Sequence, residues 1–369
     1  MNRVIFLQSK LPDDMRALQQ IANRWISYGE VLQKQGSREA LWVVTPYPLN
    51  ELSRNILVSK FISQFQSVEQ YNSVFGRFNA LRKIIRSEKI VTTLVCGDNQ
   101  LSLILALALK IWLKPLVRIQ IQFHGDTYSF KFNKGARGFL RVCLSRLGIA
   151  LADSIRIVSQ FQADEIRLIS KSAGESFVLA PIPIDFSKVA TKSSDVRYEL
   201  TFVGRLHPER GISDLIKIIE SLKGKRPSTT VVIVGEGSLK NEIKQKFENW
   251  IQDSTITMLG FLSSDEIREI YASSKVLVST APTEGYGLTL REAALSNVHV
   301  VARESKGSLG AKASFPSRIE TFANIDEAVL LIQTHLDSQS FLDSSSDISS
   351  QTKADAQGLD RLIKSWIKN

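Results

Sequence analysis

V-L-V-S-T-A-P-T-E-G-Y-G-L-T-L-R-E, residues 276–292, passes from an apolar run through a Gly-x-Gly turn into a helical pattern. The first residues read as a strand buried on both faces, as in a parallel sheet. The turn supplies free backbone N–H groups, and the helix it opens supplies partial positive charge at its N-terminus. Such a loop can hold an anion. Glu284 and Glu292 stand at its two ends, so phosphate-friendly backbone and hydroxyl-binding carboxylates share one segment. That combination suits a ligand carrying both a diphosphate and sugar hydroxyls. The plainer alternatives are a Gly-x-Gly serving backbone geometry alone, Glu284 as a helix cap and Glu292 as a solvated helical residue.

The same strand-then-helix rhythm extends outward in both directions. Upstream stand Y-E-L-T-F-V (198–203), a helix from Ser213, T-V-V-I-V (230–234), a helix over 238–250, T-I-T-M-L (255–259) and a helix over Asp265–Tyr271. Downstream stands V-H-V-V-A (298–302). The first half repeats the alternation. V-I-F-L (4–7) precedes a helical pattern with Met15, Leu18, Ile21, Ala22, Trp25 and Ile26 on one face. L-W-V-V-T (41–45), a polar-aromatic helical stretch (50–86), T-T-L-V-C (92–96), a helix from 101, V-R-I-Q-I-Q-F (117–123), S-I-R-I-V-S (154–159) and S-F-V-L-A (176–180) follow. Strands alternating with helices predict parallel sheets covered on both faces. The break at A-P-I-P-I-D (180–185) and the polar 188–197 predict two such domains, 1–190 and 191–352. Residues 338–352, rich in Ser and Asp, read as a solvated loop. An amphipathic helix over about 353–369, with Leu362, Ile363, Trp366 and Ile367, is expected to pack back on the first domain.

Composition narrows the function classes. The two cysteines, Cys96 and Cys143, cannot build a disulfide framework, and a reducing cytosol is the expected compartment. Arg3 followed by V-I-F-L reads as a first strand rather than a leader. The apolar run 101–113 contains Lys110 and is shorter than the roughly 20 residues of a membrane span, which predicts a core helix. The net charge of +10 is uneven: residues 1–190 hold 25 Lys and Arg against 14 Asp and Glu, whereas residues 191–369 hold 22 against 23. An anionic surface partner would therefore meet the first half. The basic and aromatic stretch 130–147 suits an anionic bilayer, or is a helix with one solvated basic face. Nothing in the chain resembles a nucleic-acid module.

In open parallel sheets, ligands bind beyond the carboxyl ends of the strands. Gly204 and Arg205 directly follow 198–203, Gly235-Glu236-Gly237 follow 230–234, and Glu284–Gly287 follow 276–280. His124-Gly125-Asp126 follow 117–123 in the other half. In G-R-L-H-P-E-R-G (204–211), Arg205 and Arg210 are two guanidiniums able to grip phosphate oxygens through planar paired donors. A charge contact at about 4 Å under an effective dielectric near 20 is worth ~4 kcal/mol.

Taken together, G-R-L-H-P-E-R-G (204–211), V-V-I-V-G-E-G-S-L (231–239), M-L-G-F-L-S-S-D-E-I (258–267), Y-A-S-S-K-V-L-V-S (271–279) and E-G-Y-G-L-T-L-R-E (284–292) resemble glycosyltransferase family 4 continuously over about 198–302. The match is looser earlier, at F-H-G-D (123–126), A-D-S-I-R-I-V-S (152–159) and P-I-D-F (183–186). The chain departs from the family pattern in four places. Arg210 stands for lysine, Tyr286 for phenylalanine and Arg291 for an apolar residue. Q-S-K-L-P-D-D (8–14) stands where a glycine-rich loop is usual.

The resemblance implies a GT-B fold, two Rossmann-like doubly wound domains facing across a cleft, with the acceptor side in 1–190 and the nucleotide-sugar donor side in 191–352. It implies a retaining glycosyltransferase that moves a sugar from a UDP- or GDP-sugar to a glycan, polysaccharide precursor or lipid-linked acceptor. The location would be cytoplasmic, with a peripheral position on the inner face of the membrane as an option. By the same resemblance, Glu284, His124, Arg205 and Arg210 would act at the reacting centre. Gly204, Gly285, Tyr286, Gly287, Leu288, Glu292 and Asp126 would bind substrate. No metal or other cofactor is implied, and the chain shows no Asp-x-Asp pair. Two competing readings are a catalytically silent GT-B partner subunit and a sugar-nucleotide epimerase of similar architecture.

Overall fold

The computed structural model describes residues 3–7, 25, 28–32, 41–45, 68–70, 73–97, 100–123, 135–170, 176–184, 189–191, 195–338 and 345–367. The chain forms two compact units: Met1–Pro181 together with Ala356–Asn369, and Ile182–Asp355. The division falls at Pro181, inside the proline-containing A-P-I-P-I-D segment.

The first unit is built on a parallel seven-stranded sheet, with strands β1 (Arg3–Leu7), β2 (Leu41–Thr45), β3 (Val68–Gln70), β4 (Thr92–Cys96), β5 (Val117–Gln122), β6 (Ser154–Ile157) and β7 (Phe177–Leu179) in the order 3-2-1-4-5-6-7. Side chains alternate across it, as a pleated strand requires. Ile5 and Leu7 of β1 enter one core beneath the helices α1 (Val74–Glu88), α2 (Gln100–Leu113), α3 (Gly135–Leu151) and α4 (Gln160–Ile169). Val4 and Phe6 enter a second core with Trp25, Tyr28 and Leu32.

The second unit carries a parallel six-stranded sheet in the order 10-9-8-11-12-13. Its strands are β8 (Tyr198–Val203), β9 (Val231–Val234), β10 (Ile256–Leu259), β11 (Ser274–Ser279), β12 (His299–Arg303) and β13 (Ile319–Phe322). Helices α5 (Ile212–Lys225), α6 (Lys240–Lys246), α7 (Glu248–Gln252), α8 (Ser264–Ala272), α9 (Leu288–Leu295), α10 (Lys306–Ser314) and α11 (Ile325–Asp337) cover both faces. Val231 and Ile233 face one core, Val232 and Val234 the other.

Four expectations change. The stretch 50–86, read as helical, contains strand β3 at Val68–Gln70, and its described helix is α1, which starts only at Val74. The helix expected over 238–250 is two short helices broken at Phe247, whose ring is buried. The segment 338–352 is not loop throughout, because α12 runs Ser345–Ile367. Ile348 packs on the second unit's core, and Asp355 accepts a hydrogen bond from the Ile184 N–H at 3.0 Å. That anchoring overrides the weak helix propensity of its Ser-rich start. The run 101–113 is a helix, but only its inner side is core, while Leu101, Ile111 and Trp112 lie largely in solvent. Among the described residues no helix is long and apolar enough to cross a membrane.

The end of α12 belongs to the first unit. Trp366 is fully buried there, its indole N–H donating to Gln120 Oε1 at 2.6 Å, while the Thr93 hydroxyl donates to the Trp366 carbonyl at 2.9 Å. Its ring meets Phe6 and Tyr28 edge-on, with centroids 5.4 Å apart in each case. Trp366→Ala is expected to lower stability by about 3–5 kcal/mol, read as a drop in the urea midpoint of the first unit's transition.

Candidate functional site

The carboxyl ends of β8, β9 and β11 bring the sequence-predicted groups of the second unit to one edge of its sheet. Gly204 ends β8 and donates to the Val234 carbonyl of β9 at 3.0 Å. The chain then runs Arg205, Leu206, His207 into a single 3₁₀ turn, Pro208–Arg210. Gly211 closes that turn at φ +67°, and a Cβ there would sit 2.1 Å from the Thr280 carbonyl oxygen. Only glycine lets the backbone after Arg210 lie against the end of β11. The Thr280 hydroxyl completes the contact by donating to the Arg210 carbonyl at 2.9 Å.

Arg210 reaches Glu284, its Nη1 donating to Oε2 at 2.8 Å, with both side chains mostly buried. A charge-assisted hydrogen bond of this kind contributes about 1.5–3 kcal/mol. One guanidinium offers five donors, so the pairing leaves others for an anion. Glu284 is fixed from behind, since its carbonyl accepts from the Gly307 N–H at 3.0 Å. A Cβ at Gly307 would lie 2.2 Å from that carbonyl oxygen. Arg205 is placed differently. It is two-thirds exposed and pairs with Glu209 at 3.3 Å, an arrangement of little energetic weight.

The Gly285-Tyr286-Gly287 turn leads into α9 through Gly287 at φ +74°. Among the described residues no side chain caps α9, and the first-turn N–H groups at Leu288 and beyond have no partner within the helix. Glu284 is therefore not the helix cap. Tyr286 is buried, and Arg291 lies over its ring at 4.2 Å. Arg291 Nε donates to the Tyr286 carbonyl at 3.2 Å and Nη1 to the Ser314 hydroxyl at 2.9 Å. Burial lowers the Arg291 pKa from its ordinary value, the expected sign for a desolvated cation. Glu292 is 5% exposed, deeper than a solvated helical glutamate. Its charge, after burial itself, helps push the buried Tyr271 hydroxyl pKa well above its usual range.

Glu284, Arg210, Gly204 and residues 285–288 thus belong to one strand-end cluster, with Glu292 about one turn along the helix that leaves it. His124 and Asp126, and residues 130–134 of the basic stretch, lie outside the described residues. Sequence reading passed over Thr280 and Gly307. The available signals were a polar residue after an apolar strand and the glycine in the middle of S-K-G-S-L (305–309). It also left Arg291 without a partner, because the Tyr286 carbonyl, Ser314 and Phe315 meet it only after folding. Among the described residues no group of His, Cys, Asp and Glu is arranged to hold a metal ion.

Arg291→Ala is expected to destabilise the second unit by about 2–4 kcal/mol, from lost packing and an unpaired Tyr286 carbonyl. Arg291→Met is expected to recover most of that loss by refilling the space without a buried charge. Urea melts of both variants check this, and equal losses would contradict it.

Residues 184–342 match the family model described as "Glycosyl transferases group 1". The chain is 26% identical over 170 residues to "Uncharacterized glycosyltransferase YqgM" of Bacillus subtilis, covering 45% of this chain and 46% of that protein. It is 25% identical over 143 residues to the "Phosphatidylinositol N-acetylglucosaminyltransferase gpi3 subunit" of Schizosaccharomyces pombe, covering 39% and 31%. The chain thus matches less than half the length of these curated relatives. Two solved structures superpose along nearly the whole chain. The "lipopolysaccharide outer core galactosyltransferase WaaB apo form" has a TM-score of 0.71 at 14% identity, covering 99% of each chain. The Anabaena protein Alr3699/HepE in complex with UDP-glucose has a TM-score of 0.63 at 15% identity, covering 97% and 95%. The two parallel α/β units are those of the GT-B fold, and the second contains all of the matched family region.

Proposed function

We propose that this protein is a retaining glycosyltransferase that moves a sugar from a nucleoside-diphosphate donor to a glycan, polysaccharide-precursor or lipid-linked acceptor. The observation that carries the reading is the Arg210–Glu284 pair, held at the strand ends beside the uncapped start of α9. The family match over 184–342 supports it, as do the UDP and UDP-glucose complexes of structural neighbours. In this reading the donor's diphosphate meets Arg210, Arg205 and the N–H groups of Gly285–Leu288. Glu292 binds the ribose hydroxyls, Glu284 and His124 contact the transferred sugar, and Asp126 binds substrate. A UDP-sugar is favoured over a GDP-sugar by the neighbours' ligands.

The reacting bond joins the anomeric carbon to the diphosphate oxygen. As it breaks, negative charge grows on the leaving diphosphate, and positive charge spreads over the sugar ring. A cation and backbone dipoles already in place stabilise the first more in the transition state than in the ground state. Glu284 serves twice. It holds the guanidinium of Arg210 in position before the donor arrives, and its negative charge favours an oxocarbenium-like ring. The strongly basic first half suits an anionic acceptor. Two relatives bear names with phosphate-containing acceptors, phosphatidylinositol and poly(ribitol-phosphate).

Release of nucleoside diphosphate from a panel of UDP- and GDP-sugars tests the reading. Arg210→Ala is expected to lower kcat/KM by roughly 10²–10³, with circular dichroism unchanged. Arg205→Ala should cost less, because that side chain is solvent-exposed. A donor that binds but is never turned over would replace the enzyme by a silent binding subunit. An isomerised donor in the absence of acceptor would replace it by an epimerase.

A further inference from the structure

α2 is apolar all round but covered on one side only. Leu103, Ala106, Leu109 and Leu113 are buried in the core beneath the sheet. Leu101, Ile104, Ala108 and Ile111 recur at three- and four-residue spacing, one stripe of a helix, and they are turned outward with Trp112. Ile111 is 75% exposed and Trp112 67%. No charge interrupts the stripe. Lys110 turns away, donating to Asp153 at 2.7 Å and to the Leu151 carbonyl at 2.9 Å.

α1 and α3 pack on either side of α2 and bury their inner residues in the same core, so the three outer faces form one surface. α1 adds Phe75 to the exposed apolar groups, and α3 adds Phe139, Leu140, Leu147 and Leu151. The Arg82 guanidinium lies over the Trp112 ring at 5.9 Å, and Phe78 meets that ring edge-on at 6.5 Å. Across the three helices stand eight basic residues and one acid, Glu88; with Arg77 buried and Lys110 turned to Asp153, six of the cations are left for the outer face. Just past the end of α2, Lys110, Lys114, Arg118 and Asp153 line a cavity of 460 Å³.

Exposed apolar patches of this extent mark interaction surfaces, and the charge pattern selects the partner. A second copy of the chain would set like charges against one another across a two-fold axis. Nucleic acid would match the cations but leave the α2 stripe in water. A bilayer containing anionic lipid satisfies both, with apolar groups at the acyl boundary, cations at the headgroup phosphates and tryptophan at the interface. We infer that the outer face of α1, α2 and α3 is a docking face for anionic phospholipid membrane, centred on the α2 stripe. Residues 135–147 of the basic stretch singled out in the sequence are then one flank of this face rather than its centre. The inference is independent of sugar transfer and is tested without a donor.

The full-length protein is mixed with vesicles of phosphatidylcholine alone and of phosphatidylcholine with equimolar phosphatidylglycerol. It is expected to co-sediment with the second and to be released by high salt. Trp112 emission should shift to the blue on binding, and Trp112→Phe should lose that shift. Ile104→Glu with Ile111→Glu should abolish co-sedimentation while the thermal melt stays unchanged. Arg137→Glu with Arg141→Glu should weaken it by roughly a hundredfold, each cation contributing several-fold at an anionic surface. Unshifted Trp112 with no binding to anionic vesicles at low salt overturns the inference. So does binding that survives Ile104→Glu with Ile111→Glu. A dimer seen by light scattering and dissolved by that pair of substitutions would assign the face to a second copy instead.

Discussion

The strand-end cluster of the second unit depends on how closely the backbone segments leaving its parallel strands can approach one another. Thr280 ends β11 and touches the chain after Arg210 only because Gly211 has no side chain. The Glu284 carbonyl meets the start of α10 only because Gly307 has none. These two contacts hold both partners of the Arg210–Glu284 pair from the main chain, so the charges are fixed by backbone rather than by long, mobile side chains. A site organised in this way can present a cation to a growing negative charge without reorganising during the reaction.

Arg291 extends the same logic inward. A cation in that position is costly to bury, yet it lies against the Tyr286 ring and bonds the Tyr286 carbonyl. It thereby ties the turn to the helix that the turn opens. The first unit shows the opposite solution for apolar surface. There α2 leaves a stripe of large side chains in water, flanked by cations, where a soluble helix would ordinarily carry polar groups.

Much of the fold was legible because parallel strands buried on both faces read as unbroken apolar runs. V-V-I-V and V-L-V-S announced β9 and β11, and the residues after them announced the strand-end cluster. Depth and pairing were not legible. Arg205 and Arg210 look equivalent in G-R-L-H-P-E-R-G, yet one is solvated and the other is locked to Glu284. Thr280, Gly307 and Ser314 are separated in sequence from the groups they support and meet them only through the sheet order. Residues 101–113 looked like core because hydropathy alone does not distinguish an apolar side chain facing a sheet from one facing water. The Ser-rich start of α12 looked like loop because its helicity depends on Ile348 and Asp355 finding partners elsewhere in the second unit.

Hydrogen–deuterium exchange of the intact protein with and without a nucleoside diphosphate tests the central claim most directly, because it reports on backbone N–H groups themselves. The account predicts added protection in Gly204–Gly211 and Gly285–Leu290, with β10 and α11 unchanged. Protection that leaves both segments unaltered while the nucleotide is bound would contradict it.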